Sequence, residues 1–107
     1  MPKYLIKGCY NQSGIKGLLE EGGTSRQRAV ETVLGTIGGT LDACYFAFGD
    51  TDAYLIVDLP DNVTAAALAA TIGASGAFSR YETVVLLTPA DIDAASKMTI
   101  DYRAPGG

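Results

Sequence analysis

The sequence contains no histidine and no tryptophan, and only two cysteines among its 107 residues. Without histidine there is no His-ligated zinc, haem or non-haem iron, and no Ser-His or Cys-His nucleophile. The commonest general base near neutral pH is missing as well. Cys9 and Cys44 are too few for a Cys₃ or Cys₄ metal site, and the carboxylates have no ligand-rich spacing. The expectation is a protein with no metal and no cofactor. A basic surplus is also lacking, because 8 Lys and Arg stand against 12 Asp and Glu, for a net charge of -4. A nucleic-acid partner rewards a basic stripe through counterion release, so none is expected. Long apolar runs are absent. The longest weakly polar stretch, Val63–Phe78, is alanine-rich, broken by Gly73 and Gly76, and short of the ~20 residues that span a bilayer. No membrane partner is expected. The opening MPKYLIKGCYNQSG carries Lys3 and Lys7 and has no apolar secretion core, so the expected location is cytoplasmic, with reduced thiols.

What is present is ordinary globular composition, with 48% hydrophobic and 19% charged residues. The length fits one packed core. One domain is expected over residues 1–98, followed by a tail over 99–107 that ends in Arg103-Ala104-Pro105-Gly106-Gly107.

Period-two alternation predicts a first strand over Lys3–Tyr10. A turn at Asn11–Gly14 leads to a short helix over Ile15–Glu21, stopped by Gly22-Gly23. Thr24-Ser25-Arg26-Gln27 fits a capping box, and Val30, Val33, Leu34 and Ile37 then recur at helical spacing up to Gly38-Gly39. Thr40–Phe48 and Ala53–Leu59 read as strands joined by the turn Gly49-Asp50-Thr51-Asp52. An alanine-rich helix begins at Asp61 or Asn62 and ends near Gly73, and Phe78–Leu87 is the fourth strand. Thr88 caps a last helix with Pro89 at its first position. The order predicts an α+β, ferredoxin-like β-α-β-β-α-β sandwich, its four-stranded antiparallel sheet in spatial order 4-1-3-2. Helices on one side leave the other sheet face bare.

Alternation assigns an apolar, helix-covered set and a mixed set to the two faces. The mixed set is Lys3, Leu5, Lys7 and Cys9; Asp42, Cys44, Phe46 and Phe48; Asp52, Tyr54, Ile56 and Asp58; and Arg80, Glu82, Val84 and Leu86. A bulge would flip part of any strand's set. The mixed face carries the candidate ligand-binding residues Lys7, Cys9, Phe46, Tyr54, Asp58 and Glu82. Lys7 could hold an anion or stabilise an enolate, with Glu82 and Asp58 expected as its neighbours. The alternative, and the expected outcome, is a structural ion pair. Tyr54, Phe46 and Phe48 line either a pocket or an interface. Asp50 and Asp52, beside Gly49, could offer carboxylates to a hard cation, but the expected role is that of turn formers. Cys9 and Cys44 share the mixed face with a strand between them, about 9–10 Å apart and beyond bridging distance. Arg28, at the unfavourable end of its helix dipole, finds a partner in the Asp50/Asp52 turn or stays solvated.

The segments KYLIKGCYNQSGIKGLL, GGTSRQRAVETVLGTIGGTL and YFAFGDTDAYLIVDLPDN, with the strand around Thr83, resemble the GYD-domain family of small bacterial proteins. The resemblance runs over nearly the whole chain, through Arg28, Gly38-Gly39, Gly49, Asp52 and Pro60-Asp61, with Thr51 where the name motif has Tyr. It implies the dimeric α/β-barrel superfamily, in which two sheets pack bare face to bare face. That superfamily holds cofactor-free monooxygenases, lactone isomerases, haem enzymes and amino-acid-sensing domains, so it implies no single activity. The expected partner is a second copy of the chain, in a dimer or a higher homo-oligomer, with a small anionic or aromatic ligand. The function expected is small-molecule binding or assembly. The alternative is a cofactor-independent enzyme acting on a small enolisable or aromatic carbonyl compound.

Overall fold

A computed structural model describes residues 1–107. The elements in chain order are β1 (Lys3–Tyr10), α1 (Gln12–Glu21), α2 (Gly23–Thr36), β2 (Thr40–Phe46), β3 (Ala53–Asp58), α3 (Asn62–Ala74), β4 (Phe78–Leu86) and α4 (Pro89–Ser96). The strands form one antiparallel sheet in the order β2-β3-β1-β4. This is the expected α+β, ferredoxin-like arrangement.

Local chemistry sets most boundaries. Asp61 caps α3 by accepting from the Thr64 N–H at 2.8 Å. Thr88 and Asp91 form a capping box on α4 with Pro89 in the first turn. Two helix starts differ from expectation. Asn11 caps α1 through the Gly14 N–H at 2.9 Å, so that helix begins at Gln12 rather than Ile15. The expected Thr24 capping box does not form, because α2 begins at Gly23 and Thr24 already lies inside the first turn. Gly22, at φ 83°, takes the left-handed bend that ends α1 and starts α2 within one residue.

The core lies between the sheet and α2 and α3. Tyr4, Ile6, Val57 and Leu59 pack there with Leu34 of α2 and Ala65 of α3. The Tyr4 hydroxyl donates to the Asn62 side-chain oxygen at 2.6 Å, so its polar tip is satisfied beside the core.

A bulge in β2 changes the expected faces. Leu41 pairs with Val57 and Ala43 with Ile56, so Asp42 is the extra residue. Beyond it every side chain is reversed. Cys44 and Phe46, expected on the mixed face, turn to the helix side opposite Leu55 and Ala53, and Tyr45 turns outward. A second irregularity places Ser79 outside the β1–β4 ladder and sets Phe78 opposite Tyr10. Their rings stack with centroids 4.8 Å apart.

α2 lies over β2 and α3 over β4. The molecule extends 55 Å along its long axis, and α4 and residues 97–107 are exposed throughout.

Candidate functional site

Two regions could act on a ligand or partner, one on each face of the sheet. The open face carries Lys7, Tyr54 and Glu82 in one cross-strand row, because Lys7 pairs with Tyr54 on β3 and with Glu82 on β4. The Lys7 ammonium lies 4.0 Å from the Glu82 carboxylate. Leu5, Ile56, Val84 and Leu86 continue this face as an apolar band. Lys7 and Tyr54 are half-buried and Glu82 is exposed.

Asp58 does not join Lys7. It sits at the far end of the sheet opposite Lys3, whose ammonium is 3.0 Å away, and Asp42 completes that cluster through a second ion pair to Lys3. The register explains this, since Asp58 is four residues from Tyr54, about 13 Å along the strand. Hydrogen bonding from Lys3 holds the Asp58 carboxyl below its ordinary value, and the bonds to Asp42 and Asp58 hold the Lys3 ammonium above its own. The signs give two pH windows. The Asp58 contribution is present above the usual carboxylate range and is lost as pH falls through its depressed value. The Lys3 contribution is present below the usual lysine value and is lost as pH rises through its raised one. Denaturant midpoints should therefore fall below about pH 4 in the native protein and change less steeply there in Asp58→Asn. Equal slopes for the two proteins would contradict this.

The other end of the open face is closed by the β2–β3 loop. Asp52 accepts from the Tyr10 backbone N–H at 2.9 Å and its own N–H donates to the Gly8 carbonyl at 3.1 Å. Thr51, within the loop, is buried. Arg80 donates to the Asp50 carbonyl at 2.6 Å, and to the Cys9 sulfur, whose thiol also meets that carbonyl. Asp50 and Asp52, with Gly49, thus build the turn, and the carboxylate of Asp52 is already occupied by backbone. Arg80, not Arg28, is the cation that meets this loop. Cys9 and Cys44 are free thiols on opposite faces, which corrects their expected shared face. No cluster of three or more carboxylates and thiols gathers in a geometry suited to a metal ion.

The helix side holds a feature that alternation missed. α2 and α3 leave a cleft of about 220 Å³ over the sheet, walled by Val30, Leu34, Phe46, Leu68, Ile72 and Phe78. Unfilled apolar volume forfeits dispersion contacts that a packed interior would make. Gly8 lets the Phe78 ring lie against the strand, where an added Cβ would come within 2.9 Å of it. Gly73 makes the same room for the Tyr81 phenol, whose oxygen would lie 2.3 Å from an added Cβ. Arg26 and Tyr10 stand beside each other at this cleft, and Cys44 also lines it. Burial is the main cause that raises both the Tyr10 phenol and the Cys44 thiol above their ordinary values. Phe46 joins this cleft and leaves the open-face group. Lys7, Tyr54 and Glu82 come together as a row, whereas Cys9 and Asp58 flank it at opposite ends.

Arg26 and Tyr10 escaped sequence reasoning because each reads locally as an ordinary helix or strand residue. The available signal was the pair of small residues under aromatics, Gly8 with Phe78 and Gly73 with Tyr81.

No helix is long and apolar enough to cross a membrane. No curated protein and no solved structure matches the chain. The GYD domain matches residues 4–96, which takes in all of the sheet but Lys3, and α1 to α4. The chain therefore belongs to the GYD-domain family, whose function is uncharacterised.

Proposed function

We propose that this protein is a cytoplasmic, homo-oligomeric small-molecule-binding protein, assembled by pairing the open sheet faces of two copies. The observation that carries this is the apolar band of Leu5, Ile56, Val84 and Leu86, with no helix of the same protomer packed across it. Val84 is 37% exposed and Tyr45 70% exposed, an arrangement that favours burial against a second surface. Pairing two such faces about a twofold axis would bring two Lys7–Tyr54–Glu82 rows into one enclosed space. A cation beside an aromatic ring suits a small anionic or aromatic ligand. Light scattering at micromolar concentration should give a mass at least twice that of the protomer. A monomer would overturn the assembly.

The same row supports a second reading, a cofactor-independent enzyme on an enolisable or aromatic carbonyl compound. Lys7 would stabilise an enolate oxygen, and Tyr54 or Glu82 would move the proton. Native mass spectrometry of protein from its host would show which small molecule, if any, the assembly retains.

The Lys7–Glu82 pair supplies a further prediction. Lys7 is 31% and Glu82 57% exposed in the protomer, so there the pair ranks as a surface pair worth roughly 0–1 kcal/mol. Lys7→Met should consequently cost the fold of the protomer about 1 kcal/mol or less, while the assembly loses a retained anionic ligand. A loss of about 3–5 kcal/mol that Glu82→Gln restores would instead mark a purely structural buried pair.

A further inference from the structure

We infer that the cleft between α2 and α3 is a binding site for a small arylalkanoate, its ring held in the cleft and its carboxylate held by Arg26 and Tyr10. This site lies on the opposite side of the sheet from Lys7 and exists within one protomer, so it stands whether or not the open faces pair.

Size comes first. A cavity of roughly 150 Å³ lined by Leu, Ile and Phe stays dry and takes up benzene. The cleft here is about 220 Å³, room for one ring and a short chain. It falls below the ~300 Å³ at which drug-sized ligands begin to be accommodated. The walls come second. Phe46, Phe78, Tyr10 and Tyr81 present aromatic surfaces around it, and Leu68 and Ile72 supply apolar contact from α3. Aromatic rings gain from offset or edge-to-face arrangements with such neighbours beyond the gain from area alone.

Charge decides the head group. Arg26 is half-buried in the cleft lining, and no carboxylate of the protein lies within ion-pair distance of it. Tyr10 lines the same cleft, and the positive charge of Arg26 acts on its phenol. A planar guanidinium beside a phenolic O–H is a donor set matched to a carboxylate, which accepts the fork of Arg and one further hydrogen bond. A neutral aromatic would fill the cleft and leave those donors unanswered.

The test uses the intact ¹⁵N-labelled protein, titrated with 3-phenylpropionate, 3-phenylpropanol and propionate. Binding of 3-phenylpropionate should shift the amides of Ala29, Val30, Leu68 and Ile72, and propionate should leave them unmoved. Arg26→Gln should weaken 3-phenylpropionate about tenfold or more, and leave the weaker binding of 3-phenylpropanol unchanged. Leu68→Trp, which fills the cleft, should abolish both; if it does not fold, Arg26→Gln decides alone. Shifts confined to Lys7, Tyr54 and Glu82 would assign the ligand to the open face and overturn the cleft site. So would equal affinity in Arg26→Gln, or no shift at millimolar ligand.

Discussion

Val84→Asp should convert the assembled protein into a monomer, with the dissociation constant raised about a hundredfold or more. Val84 lies in the middle of the open-face band, paired with Leu5 on β1. In an isolated protomer the new carboxylate would remain in water, because the native side chain there is already 37% exposed. The cost to the protomer is then limited to the loss of β propensity, about 1 kcal/mol. In a twofold interface the same substitution appears twice, and both charges would be desolvated without a partner. Light scattering over a dilution series separates the two states. A native protein and a variant of identical mass at every concentration would refute pairing through this face.

Leu34→Ala should cost about 3–5 kcal/mol, among the large stability losses expected of single core truncations here. Leu34 is 1% exposed and is the α2 residue that reaches the centre of the core, against Tyr4, Val57 and Leu59. Its removal leaves a void next to a cleft that is already unfilled, so the neighbouring side chains have little close-packed support from which to collapse inward. Against a typical total of about 5–15 kcal/mol, this brings the protein near the unfolding threshold. The midpoint of thermal unfolding should drop by roughly 15 °C or more. Leu34→Met, which conserves volume, should stay within about 1.5 kcal/mol. Urea unfolding at constant slope is the check. A loss below about 1 kcal/mol for the alanine variant would mean that α2 is not anchored by this side chain.

Val84→Asp also divides the functional readings. Loss of assembly in Val84→Asp with retained 3-phenylpropionate binding would place ligand recognition within the protomer. Loss of both together would tie recognition to the paired state.

Much of this protein is determined by the sequence alone, wherever the cause is local. Thr88, Pro89 and Asp91 specify the start of α4 within four residues, and Asp61 does the same for α3. The alternation of Tyr4, Ile6 and Gly8 against Lys3, Leu5 and Lys7 assigns the faces of β1 correctly, because the two lysines on one side mark it as the face not packed under the helices. The element order and the hairpin at Gly49–Asp52 point to the ferredoxin-like strand order that the sheet adopts. The pairing of Lys7 with Glu82 follows from that order and the register of β1 and β4.

The tertiary structure decided the rest. Ala43, Cys44, Tyr45 and Phe46 are all tolerated on either face, so nothing in their pattern marks Asp42 as the bulge that turns Phe46 and Cys44 toward the helices. Asp58 went to Lys3 rather than Lys7 because antiparallel register, not sequence distance, sets which charges meet. Arg80 reached the Asp50 carbonyl where Arg28 did not, because β4 begins beside the loop and α2 does not deliver Arg28 there. The cleft was hidden for the same kind of reason. Whether α2 and α3 meet depends on where each crosses the sheet, a distance between elements that no single segment encodes.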